Sequence, residues 1–247
     1  MKMDIASVLL ISFLAGASTV LGGLACIMLK IEKRVLKFLL TASTGAVLAV
    51  ILLGMLPAAM EIGGVGYAAL GFILGGVVMM VTGTLFPHTY GDEKYEDRLY
   101  SLLKTGTLVI SGMIIYNLPA GLLLGSGFAF SFALGAIMAI AIVLQNIPRG
   151  MALNAPLHRM ELNRPGVLFA MLMAGVPAIA GGMLAFAALA GSVPVLKASG
   201  MAFSAGAVLF ICAEQLIPVV KSYSRIHEVA IALFLGVFVG VLLLGIG

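Results

Sequence analysis

The chain is built almost entirely from long apolar runs, which are separated by short segments that carry most of its charges. Apolar residues make up 62% of the sequence and charged residues 10%. A water-soluble domain needs a more charged surface than this, so lipid has to be part of the solvent of the folded chain. A helix needs about 20 mainly apolar residues to cross the roughly 30 Å hydrocarbon core of a bilayer. The runs therefore predict an all-α polytopic membrane protein.

The breaks between the runs predict eight transmembrane helices in a single transmembrane domain that spans residues 1–247. The predicted helices lie near 5–29, 36–60, 65–86, 102–124, 128–152, 166–190, 194–219 and 227–246. The first run lacks a clear basic segment before it and is long enough to span, so we expect a retained helix and not a signal peptide. Eight helices leave no room for a soluble catalytic domain.

Basic residues are concentrated in the odd-numbered loops between the predicted helices. Eleven of the 14 Lys and Arg residues lie there, two lie on the opposite side, and Arg149 lies within a helix. The positive-inside rule therefore predicts that the odd loops are cytoplasmic and that both termini lie outside. This topology explains the net charge of +4 without a nucleic acid as a partner.

Motifs of the common enzyme and pump classes are absent from the sequence. It contains no HExxH, GxSxG or Walker phosphate-binding motif, so we expect no enzymatic activity. The two cysteines, Cys26 and Cys212, lie inside apolar runs without CxxC spacing, which is typical of small core residues. None of these features points to a particular cofactor.

The longest hydrophilic segment, 87–99, is acidic and lies on the predicted cytoplasmic side. It is most simply interpreted as a solvated loop. The alternative is a weak docking site for a divalent cation at His88, Asp92 and Glu93, because hard cations favour carboxylate oxygens and imidazole adds a further ligand.

Two segments share the pattern x-Asn-apolar-Pro-x-Gly. Residues 116–121 carry it in the fourth predicted helix and residues 145–150 in the fifth. A proline inside a helix removes one backbone hydrogen bond and frees a carbonyl, which lipid cannot satisfy. Two matched interruptions, at Pro119 and Pro148, therefore predict a shared polar substrate site in the middle of the membrane, as in many transporters.

These motifs resemble those of the ZIP (Zrt/Irt-like) family of divalent metal transporters, especially its GufA-like prokaryotic branch. In that family the fourth helix carries His-Asn-x-Pro-Glu-Gly and the fifth carries a related motif that also ends in Pro-Glu-Gly. The basic first loop, the stretch 56–61, the pair 87–88 and the stretch 205–218 match as well. The resemblance implies eight helices, a homodimer, a prokaryotic inner membrane and a solute of the zinc, iron or manganese class. It also implies an elevator-like step, in which helices one, four, five and six move against the others.

The side chains that form the metal site of the family differ in this sequence. Tyr116 stands where a His is usual, and Ala120 and Arg149 stand where the two glutamates are usual. Ala178 stands where the sixth helix usually offers a Glu. Neutral amides with one carboxylate form a poor zinc site. The predicted substrate pathway consists of Tyr116, Asn117, Pro119, Ala120, Gln145, Asn146, Pro148, Arg149, Ala178, Glu214 and Gln215, of which Asn117, Gln145, Asn146 and Glu214 are weak metal-ligand candidates.

Arg149 and Glu214 are the two charges that the predicted helices bury well within the membrane, since Glu61 lies at a helix end. Such a charge costs at least about 2.5 to 3.5 kcal/mol, so it usually pairs or lines a cavity. One interpretation is an ion pair that links the fifth and seventh helices. The other is that Arg149 binds an anionic substrate group, which Glu214 holds in place or accompanies by titrating. The sequence therefore leaves open a metal transporter, a transporter of a non-metal solute, and a sensor or scaffold that no longer transports.

Overall fold

A computed structural model describes residues 4–29, 31–85, 98–159, 163–221 and 226–246, which form a helical bundle. We number eight helical rods in these ranges as α1 (Ile5–Met28), α2 (Lys33–Gly63), α3 (Val65–Leu85), α4 (Arg98–Phe130), α5 (Phe132–Arg159), α6 (Arg164–Leu189), α7 (Pro194–Lys221) and α8 (Ile226–Ile246). In the described ranges, seven helices are long and apolar enough to cross a membrane, and α4 adds the shorter apolar stretch Ile115–Phe130. The predicted all-α polytopic membrane fold is confirmed.

The rods α4 and α5 meet at a sharper turn than the sequence suggested. The glycine-rich stretch 125–127 predicts a break there, but α4 continues as a helix to Phe130. A single non-helical residue, Ser131, separates the two rods, and its Oγ accepts a hydrogen bond of 3.1 Å from the backbone N–H of Leu134. Gly125 serves helix packing and does not end the helix. A Cβ at this position would meet the backbone of Gly182 in α6.

Two rods contain irregular segments that follow from prolines. In α2 a π-helical turn, Ile51–Met55, separates Lys33–Val50 from Leu56–Gly63, and the N–H of Leu56 donates to the carbonyl of Ile51. The wider turn accommodates Pro57, which would clash with a carbonyl in a regular helix. In α6 the helix is interrupted at Gly175, two residues before Pro177, where the sequence predicts one continuous helix.

The rods pack in two groups of four. In the first group, α1 packs on α5 and α6, and α4 packs on the same two rods. In the second group, α2 packs on α7 and α8, and α3 packs on α7. The two groups meet mainly where α5 packs on α2 and where α4 packs on α7.

Within each group, paired rods approach so closely that only glycine fits at the crossing. Added Cβ atoms at Gly71 and Gly75 of α3 would meet the backbones of Ser199 and Phe203 of α7, in that order, so these two rods run parallel. The pairs α1–α5, α2–α8 and α4–α6 are also parallel and close. Parallel partners differ by an even number in chain order, as alternate crossing of a membrane requires.

Between the groups, contact is made by side chains instead. The boundary is an apolar cluster that includes Ile51 and Met55 of α2, Met138 of α5, and Met201 and Val208 of α7. Across this boundary, no glycine of the described chain approaches the opposite backbone as closely as the glycines within a group do.

Candidate functional site

The two matched motifs lie side by side in the first group. Pro119 and Pro148 are buried inside α4 and α5, and both helices continue through them. The polar residues of the motifs are buried as well: Asn117 and Gln145 are 3% exposed and Asn146 is fully buried. Polar groups at this depth need partners within the protein, so their hydrogen bonds define the site.

Asn117 is bonded to the interruption of α6. Pro177 has no N–H, and the N–H of Ala178 donates to Gly175, so the carbonyl of Ala174 lacks its usual helical partner. The Nδ2 of Asn117 donates to that carbonyl at 2.6 Å. The Oδ1 of the same side chain is buried and has no hydrogen-bond partner among the described residues. Asn117 thus links α4 to α6 through its amide nitrogen.

Asn146 makes a similar link to α1. Its Nδ2 donates to the carbonyl of Ala15 at 2.8 Å, a carbonyl that also accepts from the Oγ of Ser18 at 2.6 Å. The two motif asparagines therefore use their donors to hold the first group together.

The longer polar side chains of α5 reach the other group. The Nε2 of Gln145 donates to the Sγ of Cys212 at 3.4 Å, and the Nη2 of Arg149 donates to the Oε1 of Gln215 at 3.1 Å. Cys212 and Gln215 both lie on α7, three residues apart and so on one face of that helix. These bonds place polar chemistry on the boundary between the two groups.

Arg149 has neutral partners in the described part of the chain. Its Nη1 donates to the Oδ1 of Asn146 at 3.4 Å, and its Cζ lies 5.7 Å from the ring centre of Tyr116, in cation–π range. The ion pair with Glu214 is not among the contacts described for this guanidinium. Glu214 precedes Gln215 on α7, about 100° away around the helix. The structure thus brings together Tyr116, Asn146, Arg149 and Gln215.

Two residues of the predicted pathway, Ala120 and Ala178, are buried in closely packed surroundings. Ala120 is 3% exposed and belongs to an apolar cluster with Val8 and Ala15 of α1. Ala178 is 3% exposed, and its backbone lies where a Cβ on Gly121 would be.

A metal-binding cluster is not found in the described residues, where no three His, Cys, Asp or Glu side chains come together. The proposed docking residues His88, Asp92 and Glu93 lie outside the described residues. Asn117, Gln145, Asn146 and Glu214 stay predictions as weak ligands.

Comparison with known proteins identifies relatives over most of the chain. It is 29% identical over 223 residues to the zinc transporter ZupT of Salmonella newport, and equally to that of Salmonella typhimurium, which covers 86% of this chain and 86% of each relative. The chain is thus similar to these zinc transporters along most of its length. No family model matches it. The resemblance to the ZIP family that the motifs indicate is thereby confirmed, whereas the resemblance to its GufA-like branch stays a prediction.

Two features of the site were not predicted from the sequence. One is the interruption of α6, for which the Gly-x-Pro spacing of Gly175 and Pro177 was the available signal. The other is Cys212, which was interpreted as a core residue and is buried, but also accepts a hydrogen bond from Gln145. Cys212 lies three residues before Gln215, a predicted pathway residue, and therefore on the same face of the helix. That spacing was the signal that Cys212 also faces the site.

Proposed function

We propose that this ZIP homologue is a secondary transporter that moves a small solute across the membrane, and that it is not an enzyme. The observation that carries the proposal is the pair of polar links, Gln145 to Cys212 and Arg149 to Gln215, in the otherwise apolar boundary between the groups. Buried polar groups in a membrane are costly, and they are typical of a substrate pathway. A sensor or scaffold has no need of them.

We further propose an elevator-like step in which α1, α4, α5 and α6 move against α2, α3, α7 and α8. Within the groups, backbone contacts at glycines such as Gly75 and Gly125 interlock the rods. Between the groups, apolar side chains form a boundary that can slide with fewer steric obstacles. The family resemblance adds a homodimer in an inner membrane with both termini outside.

The class of solute has two candidates. The relatives are named zinc transporters, which favours a divalent metal of the zinc, iron or manganese class. Arg149 at the centre of the site favours the second candidate, a non-metal solute with an anionic group, because a guanidinium has no lone pair to donate and repels a cation beside it. We regard the second candidate as the one that the geometry supports better.

Transport and metal binding are tested with one preparation. We expect purified protein in liposomes to accumulate a solute from a panel of metals and small acids. We also expect calorimetry to show much weaker binding of zinc and cadmium than a ZupT protein shows under the same conditions. Tight zinc binding that Arg149→Met does not change would contradict the second candidate. Failure of every solute on the panel to enter the liposomes would count against transport.

Restoring the family's ligands should restore metal affinity. A variant with Tyr116→His, Ala120→Glu and Arg149→Glu supplies an imidazole and two carboxylates, so we expect it to bind zinc more tightly than Arg149→Met alone. The single variant is the matched control, because it removes the repulsion without adding a ligand. Equal zinc affinities in two folded variants would show that the positions are assigned wrongly.

A further inference from the structure

We propose that Arg149 binds the carboxylate group of a small organic acid, and that this carboxylate takes the place of Gln215 on the guanidinium. The inference rests on the proposed transport function and names the class of its solute. It is carried by the position of Arg149 at the boundary between the groups and by the neutral partners that the structure gives it.

The described hydrogen bonds leave most of the guanidinium's capacity unused. One is of ordinary length, 3.1 Å to Gln215, and the other, 3.4 Å to Asn146, is long. A guanidinium has five N–H donors, and a carboxylate accepts two of them in parallel. Such charge-assisted bonds are about twice as strong as bonds to a neutral amide. A carboxylate is therefore a better partner for Arg149 than the amide of Gln215.

The surroundings of Arg149 also favour an anion. The side chain keeps its positive charge at any accessible pH, and the face of the Tyr116 ring stabilises that charge from one side. A bound carboxylate would neutralise it in a medium of low polarity, where an uncompensated charge is costly. A divalent cation would add to it.

Gln215 is a hydrogen-bond partner of Arg149 that a bound carboxylate can displace. Its Oε1 accepts from Arg149. After a carboxylate displaces it, the side-chain amide can turn and donate its NH2 group to the same anion. Because Arg149 lies on α5 and Gln215 on α7, this exchange replaces a direct link between the two groups by one that passes through the bound anion. Binding of the solute thereby changes the contact between the two groups.

The test uses thermal unfolding of the full chain in detergent with sodium formate, acetate or lactate, against sodium chloride at equal ionic strength. We expect at least one acid to raise the Tm of the wild type by about 2 to 8 °C at saturation. Gln215→Glu places a carboxylate on Arg149 within the chain. This variant should therefore have a higher Tm than the wild type and gain little from added acid. Arg34→Met is the matched control, because it removes an exposed arginine at the start of α2, outside the proposed site, and should leave the effect of the acid unchanged.

Arg149→Lys keeps the positive charge but lacks the paired planar N–H donors of the guanidinium, so most of the rise in Tm caused by the acid should be lost. This variant provides the test even if Arg149→Met does not fold. An acid effect of equal size in the wild type, Arg149→Lys and Gln215→Glu would overturn the inference, as would no effect of any acid on the wild type. If liposomes then still accumulate a metal from the panel, the transport function stands and only the solute class is wrong. If no solute on the panel enters, both proposals fail.

Discussion

The length of a polar side chain at the site decides which helix group it bonds to. Asn117 and Asn146 have short side chains, whereas those of Gln145 and Arg149 are longer. The two asparagines bond to carbonyls within their own helix group, whereas the two longer side chains bond across to α7. The sequence shows that these polar residues lie in apolar helices and must find partners. It does not show which carbonyl each one meets, because this depends on how the rods are arranged in space. The set of candidate residues was therefore predictable, and the separation into two roles was not.

Loss of the Asn117 amide should destabilise the protein more than loss of the Gln145 amide. Asn117→Ala leaves the Ala174 carbonyl buried without that donor, which costs about 1 to 3 kcal/mol. That is a fall in Tm of roughly 2 to 4 °C for each kcal/mol in a chain of this length. Gln145→Met is the comparison, because it removes only a long bond to sulfur. Equal falls in Tm, measured in detergent, would show that the bond to α6 is not a structural link.

The partner of Arg149 can be identified by a double-mutant cycle. Because Gln215 accepts from the guanidinium, we expect Arg149→Met and Gln215→Leu to be coupled by about 0.5 to 3 kcal/mol in the free energy of unfolding. The same cycle with Glu214→Leu tests the ion pair suggested by the sequence. Stronger coupling of Arg149 to Glu214 than to Gln215 would show that the ion pair is the dominant contact. Denaturant unfolding in mixed micelles provides the measurement.

At the scale of the helices, apolar length predicted the rods well and their ends and interruptions poorly. The stretch 125–127 looks like a turn because glycine and serine often end helices, yet Gly125 serves the contact with Gly182. Conversely, apolar length conceals the interruption of α6, because all residues around Gly175 suit lipid. Hydropathy records which solvent a residue prefers, whereas these features depend on which neighbour it meets.

Adjacent glycines of α3 should respond oppositely to the same substitution. An added Cβ at Gly75 would meet the Phe203 carbonyl, so Gly75→Ala forces two backbones apart and should cost about 1 to 3 kcal/mol. At Gly76 the nearest atom lies 3.9 Å away, so Gly76→Ala should be neutral or stabilise the helix by up to about 1 kcal/mol. Thermal unfolding of both variants in the same detergent is the measurement. A larger loss from Gly76→Ala would mean that the packing of α3 on α7 is described incorrectly.

At the scale of the whole molecule, the two native cysteines give matched probes of movement between the groups. Each cysteine sulfur lies 3.4 Å from a side-chain amide nitrogen of α5: Cys212 from Gln145 across the boundary, and Cys26 from Asn154 within the first group. Replacing either amide residue by cysteine creates a pair of thiols that a short bifunctional reagent can join.

If the groups move as proposed, the two cross-links should have different effects on transport. Joining Gln145→Cys to Cys212, with Cys26→Ser, should block uptake of radiolabelled zinc or lactate into liposomes, because the link spans the boundary. Joining Asn154→Cys to Cys26, with Cys212→Ser, should leave uptake largely intact. Each variant is compared with itself before cross-linking. Full uptake with the cross-boundary link in place would rule out a step in which the groups slide.

The parallel pairing of the rods also constrains how the chain is made. The glycine face of α2 packs on α8, which is made after the other described rods, and α1 packs on α5, which is made later than α1. Neighbours in sequence therefore cannot complete the bundle as successive hairpins, and early rods spend their first seconds beside lipid or an insertion factor. A chain that stops before Ile226 would leave the α2 groove around Gly45 permanently open. We expect this exposed groove to distinguish an unfinished molecule from one in which α8 has packed.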